Sequence, residues 1–286
     1  MSMQDVKTLR ERTGAGISDC SKALKECNGD MEKAIDYLRE KGIATAAKKA
    51  GRIASEGVCY ATVKGNCAVV VEVNCESDFV SKGELFNAFA KEVADYVADN
   101  EVADVDALIE AFSAKTTEAI QKIGENIKIR RFAKYVSDEA LDSYMHMGGK
   151  IGIIVECKNG VTVESIHDVA LQIAAYKPSY VKPDEVPEEV IAKEKEILFA
   201  QIKNDPKLAS KPDQIIAKMV EGRIKKYYDE NCVLNQVFVK NPDLTVAELL
   251  AKEGSTVIRF TRFEMGEGLE KKTNDFAAEV AAQMKK

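Results

Sequence analysis

The sequence predicts an α+β protein. Its predicted parts are an N-terminal three-helix bundle, two pseudo-repeated α+β core subdomains with antiparallel sheets, an inserted antiparallel coiled-coil hairpin and a C-terminal helix. Three observations predict this architecture. Apolar residues recur with helical spacing in the first 42 residues. Pairs of β-branched runs joined by short polar turns then occur twice, each followed by helical segments and a later strand. Two highly charged helical segments with narrow apolar stripes interrupt the second copy.

The N-terminal region, residues 1–54, is predicted to form the bundle and a linker. Ser18 is typical of a helix N-cap, so we expect it to begin the second helix. We expect Gly42 to end the third helix and the small and basic residues 44–52 to form the linker, for which a helical conformation is left open. A bundle this small is marginally stable alone, which indicates a recognition module attached to a larger core.

Residues 55–139 are predicted to form the first core subdomain. Two β-branched runs, residues 57–63 and 67–73, are joined by Lys64-Gly65-Asn66, which is typical of a hairpin. The following pattern predicts an irregular loop, two helices and a strand, over residues 74–80, 82–97, 104–123 and 127–136.

Residues 140–263 are predicted to form the second core subdomain, which repeats this order of elements. The pattern predicts a hairpin, two helices and a final strand, over residues 143–147 with 150–157, 163–176, 246–252 and 256–264. The two subdomains share the order of their predicted elements, which we interpret as a loose internal duplication.

The second copy contains an insertion over residues 183–229. Its two predicted helices carry narrow apolar stripes, formed by Val190, Ile197 and Leu198 on the first and by Ile216, Val220, Ile224 and Tyr227 on the second. Because each stripe can cover the other, an antiparallel coiled-coil hairpin is expected to protrude as an arm.

The last segment, residues 264–286, is predicted to form a C-terminal helical module. Phe276, Val280 and Met284 are four residues apart, so they share one face of a helix. That apolar stripe either packs on the body of the same chain or holds a partner.

Composition excludes several classes of function. The net charge is −6, which disfavours nucleic acid as the main partner. Seven scattered cysteines and two histidines give no metal-ligand spacing, and no nucleotide-binding or nucleophile motif occurs. No apolar run approaches the length of a membrane span, and residues 1–14 contain no apolar signal segment. We therefore expect a cytoplasmic protein without a membrane partner, a cofactor or a resident metal.

The most unusual local feature is the segment from Asn74 to Val80, between a predicted hairpin and a predicted helix. Ser77 or Asp78 could cap that helix, and Phe79 could pack on the core as a hydrophobic staple. Alternatively, Phe79 is an exposed aromatic side chain beside a carboxylate, held at the rigid exit of a hairpin as a wedge.

Several segments together resemble the elongation factor Ts family. They are, in chain order, residues 9–16, Asp78-Phe79-Val80 after a strand ending at Cys75, residues 124–127, His146 with residues 149–152, and residues 218–223, 262–268 and 275–280. The matches extend over nearly the whole chain, which is more specific than any single motif. Two departures occur: residues 76–79 read Glu-Ser-Asp-Phe where Gln-Thr-Asp-Phe or Glu-Thr-Asp-Phe is commoner, and Met-Gly-Gly follows His146.

The resemblance implies a guanine-nucleotide exchange factor for the GTPase elongation factor Tu, without catalytic residues of its own. Asp78, Phe79 and Val80 would face the G domain of the GTPase, where Phe79 would disturb the Mg²⁺ and phosphate site. Further partner contacts are implied for Lys7, Arg10, Ile123, Gly124 and His146. The helical hairpin and the C-terminal helix would contact more of the GTPase, including domains beyond the G domain.

Three other functions remain open from the sequence. The N-terminal bundle resembles a UBA domain, which would suit an adaptor for ubiquitin-like proteins. An RNA-binding translation factor is disfavoured by the acidic balance and by the lack of a basic, aromatic sheet face. An enzyme of unknown type is the third alternative. Whether the free protein forms a homodimer is also left open.

Overall fold

The computed structural model describes residues 2–13, 15–208 and 210–270. It confirms the predicted α+β class, since helices pack on two separate three-stranded antiparallel sheets. The predicted C-terminal helix with Phe276, Val280 and Met284 lies outside the described residues.

The N-terminal region contains three helices, α1 (Met3–Thr13), α2 (Ile17–Glu26) and α3 (Met31–Lys49). They pack around a small apolar cluster that includes Leu9, Leu24 and Leu38. The predicted cap at Ser18 is wrong: Gly16 occupies the N-cap position of α2, and Ser18 is exposed within the first turn.

The first core subdomain contains the sheet with strand order β1-β2-β3. Its elements are β1 (Glu56–Lys64), β2 (Cys67–Cys75), α4 (Asp78–Ser81), α5 (Glu84–Asp99), α6 (Val105–Ile123) and β3 (Lys128–Val136). Alternate residues of β2, including Val69, Val71 and Val73, pack with Phe86 and Phe112 of the two long helices. The expected irregular loop over residues 74–80 is wrong, because β2 continues to Cys75 and α4 begins at Asp78.

Helix α3 runs past the predicted end at Gly42. The residues after it are mostly alanine and lysine, which favour helix, and Ala46 packs against the core of the first sheet. Gly42 lies against α6, where an added Cβ would be 2.9 Å from Oε1 of Gln121. The predicted linker over residues 44–52 is therefore largely helical, and this glycine permits close helix packing.

The second core subdomain contains the sheet with strand order β4-β5-β6. Its elements are β4 (Ala140–His146), β5 (Ile151–Cys157), α7 (Val163–Tyr176), the insertion with α8 (Glu188–Asn204) and α9 (Asp213–Asn231), α10 (Val246–Ala251) and β6 (Val257–Glu264). Short 3₁₀ turns, Pro183–Glu185 and Val233–Asn235, flank the insertion. Helices α7 and α10 pack on Ile153 and Val155 of β5.

The two sheets pack face to face. Ala68 and Val70 of β2 form a shared apolar cluster with Ile154 of β5 and Tyr135 of β3. Gly152 allows a close approach, since a Cβ there would be 2.8 Å from the carbonyl oxygen of Cys59. The core is thus layered helix, sheet, sheet, helix, and one end of the two sheets carries the predicted site.

The insertion is a pair of helices that cover one another. Leu198 and Ile202 of α8 are buried against Ile216, Val220 and Ile224 of α9. The predicted stripe on α8 is partly wrong, because Ile197 is exposed, Val190 is only half-buried, and Ile191 and Ile202 contribute instead. On α9, Tyr228 rather than Tyr227 packs on this cluster. A shift of one residue on a helix rotates the side chain by 100°, which is why a narrow seam is hard to place from spacing alone.

Candidate functional site: a braced turn with an exposed phenylalanine

The segment predicted as the site forms a single helical turn at the end of β2. Ser77 caps α4, because its hydroxyl oxygen accepts a hydrogen bond from the backbone N–H of Val80 at 3.3 Å. The hydroxyl of Ser81 donates to the carbonyl oxygen of Asp78 at 2.8 Å. The two serines therefore fix the backbone on both sides of Phe79.

Glu125 braces this turn from the end of α6. Its Oε2 accepts hydrogen bonds from the backbone N–H groups of Glu76 and Ser77, each at 3.0 Å. Its Oε1 accepts the hydroxyl hydrogen of Ser77 at 2.5 Å. Hydrogen bonds to an ionised acceptor are among the stronger ones in proteins, so this carboxylate rigidly positions the turn.

Glu76, in turn, holds the segment that carries Glu125. Oε1 of Glu76 accepts a hydrogen bond from the backbone N–H of Asn126 at 2.7 Å. The Asn126 side chain in turn donates to the carbonyl oxygen of Arg52 at 2.8 Å. The turn, the end of α6 and the segment after α3 are therefore joined in one network of hydrogen bonds.

Phe79 projects from this turn into solvent. It is 85% exposed, whereas Val80 next to it packs on the core of the first sheet. The alternative in which Phe79 staples the helix to the core is therefore wrong. An exposed phenylalanine on a rigid backbone is available to another molecule.

Asp78 is an exposed carboxylate beside Phe79. Nζ of Lys82 donates to Oδ2 of Asp78 at 2.8 Å. That hydrogen bond and the positive charge of Lys82 lower the pKa of Asp78 below its ordinary value. Asp78 is therefore ionised at neutral pH and can accept hydrogen bonds from a partner.

Ile123 and Gly124 lie beside the braced turn, because Glu125 follows them directly. Gly124 ends α6 with a φ of 89°, a conformation that favours glycine. The half-buried Ile123 lines an open groove of about 300 Å³ between α5 and α6, together with the exposed Leu85. The groove is a second accessible surface with apolar residues in the first subdomain.

His146 lies at the end of β4, and the turn after it returns to the first subdomain. Glu56 pairs with Cys75 in the β1–β2 ladder, and Nζ of Lys150 contacts Oε2 of Glu56 at 2.7 Å. The His146 turn and the Asp78 turn are therefore at the same end of the two sheets.

The His146 ring is oriented by a neighbour on its own strand. The hydroxyl of Tyr144 and Nδ1 of His146 are 3.0 Å apart, and the two ring centres are 5.7 Å apart. Tyr144 also packs edge-on against His167 of α7. Met147, which follows His146, is highly exposed and adopts a positive φ.

Lys7 and Arg10 lie elsewhere on the chain, on the exposed face of α1. Helix α1 belongs to the N-terminal bundle, which reaches the core where α3 packs on α6. The side chain of Lys49 on α3 donates to the carbonyl oxygen of Gly124, which connects this bundle to the site region.

The thiol that precedes the braced turn is buried. Burial raises the pKa of the nearby Cys75 thiol to about 12, so this thiol stays protonated at neutral pH. Among the residues that the structure describes, no group of three or more His, Cys, Asp and Glu side chains could hold a metal ion. None of the helices in the same ranges is long and apolar enough to cross a membrane.

Glu125 is a site residue that the sequence analysis did not assign. It lies within the family-like segment of residues 124–127, but its spacing from Ser77 gives no local signal. The pairing of β3, which begins three residues after Glu125, with β2 brings the two residues together.

The chain matches a known protein family. The model of the family described as Elongation factor TS matches residues 76–267, which is about two thirds of the chain. This range contains Asp78, Phe79, Val80, Ile123, Gly124 and His146, whereas Lys7 and Arg10 precede it.

Proposed function

The chain belongs to the elongation factor Ts family, and on that premise we propose that it binds the GDP form of elongation factor Tu and promotes release of GDP. GTP then binds to the emptied GTPase. In this proposal the protein acts in the cytoplasm during protein biosynthesis, as an exchange factor without catalytic residues or a cofactor of its own.

The observation that carries this proposal is the exposed ring of Phe79 on a braced turn. Large apolar side chains are usually buried, and this ring is displayed while its neighbours Val80 and Ser81 anchor the turn. A rigid, exposed ring can enter an apolar gap on another protein without a large loss of conformational entropy.

In the proposed mechanism, Phe79 acts as a wedge. GDP is held in a GTPase by backbone amides, a lysine and a Mg²⁺ ion that bridges phosphate oxygens. Phe79 would insert between elements of the G domain, and Asp78 would contact the same surface. Displacement of these elements by about one ångström is sufficient to disrupt such a geometry.

The energies are consistent with this mechanism. Burial of one phenylalanine side chain stabilises a complex by roughly 1.5–3 kcal/mol. The coupling free energy between two ligand sites is typically about 1–3 kcal/mol. One ring can therefore supply the coupling that weakens GDP binding, but it cannot alone hold a complex that needs about 800 Å² per partner.

Other parts of the chain would supply the remaining contact area. We assign Ile123 and Gly124 to the surface beside Phe79, and His146 to a second contact at the same end of the sheets. Lys7 and Arg10, on the N-terminal bundle, would contact the G domain. The paired helices α8 and α9 are consistent with a coiled-coil arm, and the helices of residues 1–54 with a UBA-like bundle.

We propose that the contacts are distributed over four parts of the chain. These parts are residues 1–54, 55–139, 140–263 with the arm at 183–229, and 264–286.

Exchange then follows from linkage: a factor that lowers the affinity for GDP is itself bound less tightly when nucleotide is present. Incoming GTP would release the factor without any chemical step on this chain.

Release of a fluorescent GDP from elongation factor Tu tests the proposed activity. In stopped-flow experiments with excess unlabelled nucleotide, addition of this protein should accelerate GDP release in proportion to its concentration until saturation. The heat-unfolded protein is the matched control. A release rate that does not depend on the folded protein would contradict the proposal.

A further inference from the structure

Helix α4, which carries Phe79, is too short to be stable alone. It contains four residues, and an isolated helix of this length does not persist in water because nucleation costs more than a single turn recovers. Its capping hydrogen bond, from the backbone N–H of Val80 to the Ser77 hydroxyl, is long at 3.3 Å. The orientation of the Phe79 ring therefore depends on groups outside the turn.

Glu125 supplies such support from the segment that follows α6. Its half-buried carboxylate accepts the backbone N–H groups of Glu76 and Ser77 and the hydroxyl of Ser77. A carboxylate has about four acceptor sites, and three of them are used by these donors. Because Glu125 binds the backbone of its own chain in this way, its effect on a partner has to pass through the turn.

Glu76 anchors the same turn on its other side. Asn126, which is 2% exposed, donates its backbone N–H to Oε1 of Glu76 at 2.7 Å and its side-chain amide to the carbonyl oxygen of Arg52 at 2.8 Å. Nη1 of Arg52 lies 3.4 Å from the same Oε1. Glu76 therefore connects the Phe79 turn to the segment of Glu125 and to the residues that follow α3.

We propose that Glu125 and Glu76 are positioning residues for nucleotide exchange, which act on GDP release by holding Phe79 in the orientation that enters the G domain. The inference rests on the proposed function and deepens it, because it names the residues that prepare the wedge. A ring that is held in place before binding inserts without first being ordered. A displacement of about 1 Å at a positioned group can slow a reaction by roughly a hundredfold, so a partial loss of order at this turn is measurable.

Stopped-flow release of fluorescent GDP from elongation factor Tu, measured over a range of factor concentrations, tests this role. The fit gives a saturating rate and the factor concentration that produces half of it. Glu125→Ala should lower the saturating rate by about three- to tenfold. The half-saturating concentration should stay within about twofold of the native value, since the rest of the interface still supplies affinity.

This pattern separates positioning from simple loss of folded protein. A smaller folded fraction raises the apparent half-saturating concentration and leaves the saturating rate unchanged. Glu110→Ala, at an exposed position of α6, is the matched control and should give the native rate and the native half-saturating concentration.

A double variant shows whether Glu125 acts through Phe79. In a Phe79→Ala background the ring is absent, so Glu125→Ala should change the saturating rate by less than about twofold. Glu76→Ala leaves the three hydrogen bonds of Glu125 to the turn in place, because two of them use backbone N–H groups and the third uses Ser77. This variant removes only the anchor, should also slow release, and replaces Glu125→Ala if that protein does not fold.

Two results would overturn the inference while the native protein still accelerates GDP release. The first is a native saturating rate for folded Glu125→Ala or for Glu76→Ala. The second is an equal loss from Glu125→Ala with and without the Phe79 ring, which would identify direct contact or a general structural role. Failure of the native protein itself to accelerate release would contradict the proposed function, and the two failures are therefore distinguishable.

Discussion

Arg131 of β3 lies with its guanidinium carbon 4.2 Å from the centre of the Phe263 ring on β6. The reverse pair has the same geometry, since Arg259 of β6 lies 4.1 Å from the ring centre of Tyr135 on β3. Each arginine therefore extends from one sheet to an aromatic side chain of the other. Cation–π contacts of this kind stabilise a fold by about 0.5–2 kcal/mol each.

Each of these arginines also binds a buried glutamate of its own sheet. Oε2 of Glu72 accepts a hydrogen bond from Nε of Arg131 at 2.6 Å, and Glu156 accepts one from Nε of Arg259. A break in the strand register follows both glutamates, on β2 and on β5. The two sheets therefore share these specific side-chain contacts as well as the order of their elements.

Replacement of Glu72 should destabilise the protein strongly. Its carboxylate is fully buried and accepts hydrogen bonds from Arg130, Arg131 and the backbone N–H of Gly266. Glu72→Ala leaves these donors unpaired, so we expect the free energy of unfolding to fall by about 3–5 kcal/mol in urea titrations. Glu101→Ala is the matched control, because Glu101 is exposed and should change stability by less than about 0.5 kcal/mol. Equal effects of the two substitutions would contradict this role of Glu72.

The brace on the Phe79 turn should be measurable as coupling between two residues. Ser77→Ala removes a helix cap and should cost about 0.5–2 kcal/mol. Glu125→Ala leaves the N–H groups of Glu76 and Ser77 without an acceptor, and each loss of this kind costs about 1–3 kcal/mol. Because the two side chains share one hydrogen bond, the double variant should be less destabilised than the sum of the single variants. Strict additivity in the double-mutant cycle would show that the two residues act independently.

Two adjacent glycines in the His146 turn should respond differently to alanine. Both have positive φ, 65° at Gly148 and 87° at Gly149, so each alanine introduces backbone strain of about 1–2 kcal/mol. At Gly149 the added Cβ also overlaps a methyl group of Val58, whereas at Gly148 it meets open space. Gly149→Ala should therefore lower the free energy of unfolding by at least about 1 kcal/mol more than Gly148→Ala. Thermal or urea unfolding of the two variants measures the difference, and equal losses would argue against close packing at this turn.

The cysteines should differ sharply in reactivity. Cys27 is partly exposed and the other six are buried. Burial raises the pKa to about 12 for Cys75 and Cys157 and to about 11 for Cys232, so few of these thiols ionise at pH 8. Brief treatment of the native protein with iodoacetamide should therefore modify Cys27 first, as measured by peptide mass spectrometry. Modification of Cys75 at the same rate as Cys27 would show that the core opens more readily than its packing indicates.

The sequence predicted the elements whose pattern is local. The spacing of apolar residues gave the helix over residues 163–176 with the bounds Val163–Tyr176, because its buried face and its cap at Thr162 are both local. The end of α3 was misplaced, since a glycine usually ends a helix and only the packing of Gly42 on α6 explains its presence inside one.

Some features of the site could be predicted from neighbouring residues, and others depend on contacts between distant parts of the chain. Phe79 and its neighbours were singled out from the sequence, but exposure or burial of the ring could not be decided from local pattern. The contact of Glu125 with Ser77 joins residues 48 positions apart, so it depends on how β3 pairs with β2. Contacts between the sheets, such as Arg131 with Phe263, cannot be predicted from the spacing of apolar residues either.

The most direct test of the wedge is Phe79→Ala compared with Val163→Ala. Val163 is 86% exposed, nearly the same as Phe79, and it follows the far end of β5, away from the His146 turn. Calorimetry would give the affinity of each variant for elongation factor Tu, and stopped flow would give the rate of GDP release at saturating factor. We expect Phe79→Ala to slow the stimulated release by at least about tenfold, which corresponds to about 1.4 kcal/mol, while much of the binding is retained. Val163→Ala should release GDP at the native rate. Native-like release with Phe79→Ala at saturation would contradict the central claim.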